Sequence, residues 1–131
     1  MVIVDTTVWV DYLNGTLSPA ARWLDRELGQ QEIGLTDLIL CETLQGIQSD
    51  QEFARVKVLL SEFELFVMGG EELCVAAAQN YRRLRQRGRT VRKTIDCLIA
   101  TYCLKEGHSL LHRDRDYDHF EQELGLKVIH P

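Results

Sequence analysis

Short, unbroken apolar runs alternate along this chain with longer stretches in which apolar positions recur at helical spacing. Val2-Ile3-Val4 runs straight into Asp5 and reads as a first strand, Val2 to Asp5, buried on both faces. Val8 to Leu13 predicts a short helix closed by the turn pair Asn14-Gly15, with Asp5 or Thr6 placed to cap it. Ser18 and Pro19 suit the N-cap and first position of a second helix carrying Trp23, Leu24 and Leu28, with Gly29 as its stop. Ile33-Gly34-Leu35 is a small strand, and Thr36 or Asp37 caps a helix through the apolar run Leu38 to Leu44. An amphipathic helix follows over Asp50–Phe63, then a buried strand over Leu65–Met68 that ends at Gly69-Gly70. Glu71 and Glu72 open a helix that passes Tyr81 and breaks near Gly88. Thr94 to Leu104 is apolar on nearly every side, which predicts a buried helix ending at Gly107. Ser109–His112 reads as a strand, Arg113–Asp118 as an acidic loop and helix start, and Leu126–Ile129 as a last strand. Helices alternating with short apolar strands imply an α/β sandwich with a largely parallel sheet.

Composition narrows the class. The 131 residues suit one domain, residues 1–131, and 45% hydrophobic with 27% charged positions is the balance of a globular chain. No run approaches a membrane span and no leader pattern opens the sequence, so the expected location is cytoplasmic. Cys41, Cys74, Cys97 and Cys103 each sit in apolar helical settings and are expected to be reduced and buried. His108, His112, His119 and His130 form no zinc spacing. The net charge of −5 argues against broad attraction to nucleic acid. Yet Arg82, Arg83, Arg85, Arg87, Arg89, Arg92 and Lys93 crowd one stretch that leads directly to Asp96. That stretch reads either as a solvated helix face with a basic loop or as a rim that contacts phosphates.

Four acids stand where burial is expected. Asp5 ends a buried strand, Glu42 lies inside an apolar run, Asp96 opens a buried helix, and Asp114 and Asp116 follow a strand. Each has an ordinary explanation as a cap, a dipole partner or a side chain reaching for solvent. Their joint placement points instead to divalent-metal phosphoryl chemistry. Mg²⁺ and Mn²⁺ take hard oxygen ligands, acidify a bound water and offset charge on the attacked phosphate. Histidine and cysteine are absent from the set, which disfavours zinc.

The start Ile3-Val4-Asp5-Thr6-Thr7-Val8-Trp9, Glu42, the run Val91 to Ala100 and the run His112 to Asp118 together resemble a PIN-domain ribonuclease. More narrowly, they resemble the VapC toxins of bacterial toxin–antitoxin modules, over essentially the whole chain. The resemblance implies a PIN-like three-layer α/β/α sandwich and a Mg²⁺- or Mn²⁺-dependent endoribonuclease. It implies Asp5, Glu42, Asp96 and Asp114 as catalytic acids, with Asp5, Asp96, Asp114 and Asp116 as metal ligands. It leaves open whether Asp114 or Asp116 is the main fourth acid, since Asp116 could equally cap the last helix. Thr6 corresponds to a hydroxyl that supports the site. The implied partners are RNA, a VapB-type antitoxin and a second copy of the chain. Arg92 and Lys93 are the residues expected to hold substrate phosphates.

Two other readings compete. A haloacid-dehalogenase-like phosphatase also opens with a strand ending in Asp, but it places a second Asp two positions on, where this chain has Thr7. A non-catalytic module could use the basic 82–93 stretch to grip RNA or an acidic partner. A kinase reading of His112-Arg113-Asp114 fails for want of length, a glycine-rich phosphate loop and a D-F-G.

Overall fold

β1 (Val2–Val4) is buried at all three positions because it lies inside the sheet, with parallel neighbours on both sides. The computed structural model describes residues 1–131. Around β1 the chain forms α1 (Thr6–Leu13), α2 (Pro19–Glu27), β2 (Ile33–Thr36), α3 (Asp37–Gln45), α4 (Asp50–Leu60) and β3 (Glu64–Phe66). It continues through α5 (Gly70–Gln86), α6 (Thr94–Glu106), β4 (Ser109–Leu111) and α7 (Asp116–Leu124). The four strands are all parallel, in the order β3-β2-β1-β4. α1 packs on α2 and α3, and α3 on α4; α5, α6 and α7 pack on one another. The two groups of helices cover the sheet as the outer layers of an α/β/α sandwich. No helix is long and apolar enough to cross a membrane.

Local chemistry sets the boundaries. Ser18 Oγ accepts from Ala21 N, with Pro19 in the first position of α2. The buried Thr36 is the cap of α3: its hydroxyl accepts from Ile39 N, while Asp37 accepts from Leu38 N and Met68 N. Gly107, at φ 73°, takes the left-handed conformation that ends α6 and lets β4 start two residues on. Trp9 is fully buried and packs edge-on against Phe63, with ring centroids 5.2 Å apart, which fixes α1 over the end of α4.

Three expectations change. The strand expected at Leu65–Met68 is β3, Glu64–Phe66, and it is not buried: as the sheet edge it has one neighbour, and Leu65 and Val67 face solvent. The expected last strand shrinks to a single parallel bridge, Leu110 with Val128, because β4 is only three residues long and offers no further ladder. Cys97 and Cys103 are buried, but Cys41 and Cys74 are exposed on the outer faces of α3 and α5. All four are free thiols.

Candidate active site

The sheet order makes the ends of β1 and β4 special. From β1 the chain moves to one side through β2 and β3, then returns to the other side for β4. At such a switch point the loops leave in opposite directions and open a crevice at the carboxyl ends of the strands. Asp5 is the first residue beyond β1, and His112-Arg113-Asp114 is the first run beyond β4.

Asp5 is both helix cap and crevice residue, so the two roles that seemed exclusive coincide. Its Oδ2 accepts from the backbone N–H of Thr7 at 3.1 Å and from the Thr7 hydroxyl at 2.7 Å. Its Oδ1 accepts from the phenol of Tyr117 at 2.8 Å. The Thr7 hydroxyl in turn accepts from the backbone N–H of Arg113 at 3.1 Å. The Arg113 guanidinium lies 2.7 Å from the buried Asp11 of α1. Loop 112–114 is thereby clamped onto α1.

Asp96 enters from the first turn of α6 and is buried. Its Oδ1 lies 3.3 Å from the Tyr117 hydroxyl, while its buried Oδ2 has no partner in the protein. Burial pushes the Asp96 carboxyl up to about 7, and the nearby charges of Asp5 and Asp114 add to this while Lys93 opposes it. Glu42, half-buried on α3, accepts from the Thr6 hydroxyl at 2.8 Å. Burial raises this carboxyl too and Asp5 adds to it, against the Thr6 hydrogen bond and the charge of Lys93. The apolar run around Glu42 buries only Ile39 and Thr43, and Glu42 turns toward Thr6.

Asp114 and Asp116 divide the work that the sequence left open. Asp114 Oδ1 accepts from Asp116 N at 3.0 Å, so Asp114 turns the chain into α7, and its own N–H donates to His112 Nδ1. Asp116 accepts from Arg92 twice, from the backbone N–H at 3.1 Å and from Nε at 3.0 Å. Burial would raise the Asp116 carboxyl, but the backbone N–H, side chain and charge of Arg92 together hold it below the usual carboxylate range. One oxygen each from Asp96, Asp114 and Asp116 lie within 4.8 Å of one another. Asp5 stands beside this trio, joined to it through Tyr117.

The donor set suits a hard divalent cation. It offers only carboxylate oxygens, from a residue set in which Asp96 has one buried, unpartnered oxygen, and the charges of Asp5 and Asp114 add to the raised proton affinity of Asp96.

The basic stretch is less free than its composition suggests. The Arg92 guanidinium reaches Asp116 and, at 3.5 Å, Asp114, so it faces the acids. Arg87 and Arg89 both pair with Glu123, and Arg85 lies over the Tyr81 ring. Lys93 is exposed and close enough for its charge to act on Glu42 and Asp96. Pattern reading does not find Tyr117, Thr7 or the Arg113–Asp11 clamp. Only the position of Tyr117 directly after Asp116 hints at its part.

Comparison with known proteins agrees with this architecture. The model of the PIN domain family matches residues 2–123. The chain is 33% identical over 120 residues to VapC ribonuclease Mb1587 of Mycobacterium bovis, covering 90% of each. It matches ribonuclease VapC11 of Mycobacterium tuberculosis to the same extent. Among solved structures, VapBC2 from Rickettsia felis bound to a DNA fragment from its promoter superposes with a TM-score of 0.75. That match covers 98% of both chains at 17% identity and speaks to the fold alone.

Proposed function

From the premise that this chain belongs to the PIN-domain family, within its VapC branch, we propose that it is a Mg²⁺- or Mn²⁺-dependent endoribonuclease toxin built as one PIN-like domain. The observation that carries this reading is the convergence of Asp5, Glu42, Asp96 and Asp114 at the switch point, with the unpartnered Asp96 Oδ2 among them. Asp96 and Asp114 would hold the cation directly, with Asp5 beside them and Asp116 braced by Arg92 at the rim. When bound, the cation supplies a nucleophile near neutral pH and offsets charge on the phosphate. Glu42, steadied by Thr6 through Oε1, completes the acid ring and takes up a proton at its other oxygen. Lys93 holds a substrate phosphate from the solvent side, and Arg92 does so only by exchanging its acids for the phosphate.

The partner we propose is a VapB-type antitoxin, as in the VapBC complexes that share the fold. A groove of about 410 Å³, with Val10, Leu13, Ile47 and Val56 among polar walls that include Glu42 and Glu52, gives an antitoxin segment a partly apolar seat beside Glu42. A homodimer is part of the same proposal.

The purified protein should cleave RNA with Mg²⁺ or Mn²⁺ and stop on addition of EDTA. Asp5→Asn or Asp96→Asn retaining full cleavage would overturn the assignment. A protein that binds RNA equally well with and without these acids, and never cleaves it, would instead be the binding module.

A further inference from the structure

Tyr117 touches two of the acids, one beyond β1 and one in α6. It is fully buried in α7 and its ring lies 4.9 Å from that of His112 at the end of β4. Its hydroxyl reaches Asp5, beyond β1, and Asp96, in α6. A phenol has one proton to donate. At 2.8 Å against 3.3 Å, that proton belongs to Asp5. The consequence is an asymmetry between two carboxylates that sequence reading treats alike. Asp5 has a donor on each oxygen: Tyr117 holds Oδ1, and the Thr7 hydroxyl and N–H hold Oδ2. Asp96 receives no comparable donor: its Oδ2 is buried and unpartnered, and the residue clusters with Asp114 and Asp116.

We propose that Tyr117 is a positioning residue of the metal site: its hydroxyl locks the Asp5 carboxylate in one orientation and so leaves Asp96 as the acid that meets the cation first. The inference rests on the ribonuclease reading of the site and goes beyond it, because it ranks the acids. Partners behind ligating carboxylates and histidines set metal affinity as well as orientation, and losing one typically costs roughly 10- to 100-fold. Nothing else in the structure replaces the Tyr117 bond to Asp5 Oδ1.

The test is Mn²⁺ titration of the metal-free protein, followed by the loss of the free-ion electron paramagnetic resonance signal. Tyr117→Phe keeps the ring and should weaken Mn²⁺ binding about 10-fold or more. In an Asp5→Asn background the same change should have little further effect, because Tyr117 acts through Asp5. Incorporation of 3-fluorotyrosine at position 117 keeps the hydroxyl and should retain affinity; if the Phe variant is poorly folded, Asp5→Asn alone should weaken Mn²⁺ binding at least as much, and an unchanged affinity there overturns the inference. Wild-type protein that binds Mn²⁺ as tightly as Tyr117→Phe overturns the inference. An equal loss with and without Asp5 also overturns it, since that is the mark of a packing role. Wild-type protein that binds no Mn²⁺ at all overturns the metal reading itself, a different outcome.

Discussion

The Thr6 hydroxyl donates to Glu42 Oε1 over 2.8 Å, tying the first residue of α1 to the middle of α3. The bond fixes an acid that would otherwise be free to rotate away from the crevice, since its own helix buries only Ile39 and Thr43. Thr6→Val should therefore lower RNA cleavage about 10-fold or more, as loss of a supporting hydrogen bond does. It should change stability by only about 1 kcal/mol, the worth of an ordinary hydrogen bond. Initial-rate assays beside denaturant melts separate the two, and an undiminished rate would remove Thr6 from the site.

Asp96 gives the metal-free protein a pH dependence opposite to that of a salt-bridged acid. Its carboxyl sits at about 7 when folded against an ordinary 3.8, so the folded state binds the proton more tightly than the unfolded one. The stability this provides is complete below pH 4 and is lost as pH rises through 7. Thermal melts in EDTA should accordingly show a fall in stability from pH 5 to pH 8. Asp96→Asn should flatten that fall, and Mn²⁺ should raise the melting temperature of the wild type most at the upper end. A fall that is as steep in Asp96→Asn would assign it to other groups.

Arg92 and Asp116 should behave as an internal counter-ion pair. Arg92→Gln leaves a nearly buried carboxylate with only the backbone N–H of residue 92 as its donor. Loss of that side-chain partner should lower stability, read as a fall in melting temperature. It should also tighten Mn²⁺ binding severalfold, because a positive charge leaves the edge of the acid trio. The same variant should flatten the salt dependence of RNA binding if Arg92 also meets phosphate. Fluorescence anisotropy across a salt series, with an Asp5→Asn background to prevent cleavage, reads that directly.

The Arg113–Asp11 clamp predicts a functional effect from a pair outside the acids. Asp11→Asn weakens a charged contact, worth about 1.5–3 kcal/mol in total, that holds loop 112–114 to α1. Cleavage should fall while RNA affinity changes little, since the loop carries Asp114 and its Arg113 is not among the residues assigned to hold phosphate. Unchanged cleavage would show that the Thr7–Arg113 backbone bond suffices to hold the loop.

Much of this was legible along the chain, for reasons particular to each element. β1 announced itself because a central parallel strand must be apolar at every position, and Val2-Ile3-Val4 leaves no other reading. α6 was legible as a buried helix because both faces of it meet protein. β3 misled: Leu65 and Phe66 carry strand propensity whether the strand is central or at an edge, and hydropathy does not tell the two apart. The four acids could be named because an acid beside an apolar run is out of place. Tyr117 could not, since a tyrosine on a helix is ordinary, and only the fold brings its hydroxyl to Asp5, 112 residues away. For the same reason the basic stretch could be counted but not apportioned. Which arginine faces acid and which faces solvent depends on how α7 docks.

The strand order has a consequence for how such a protein is made. β1 is made long before β4, yet its Val4 pairs with Leu111, and Asp5 waits for Tyr117. Until α7 has emerged and docked, the growing polypeptide holds Asp5, Glu42, Asp96 and Asp114 but no enclosed acid ring. The acid ring thus closes only once all four strands have been made.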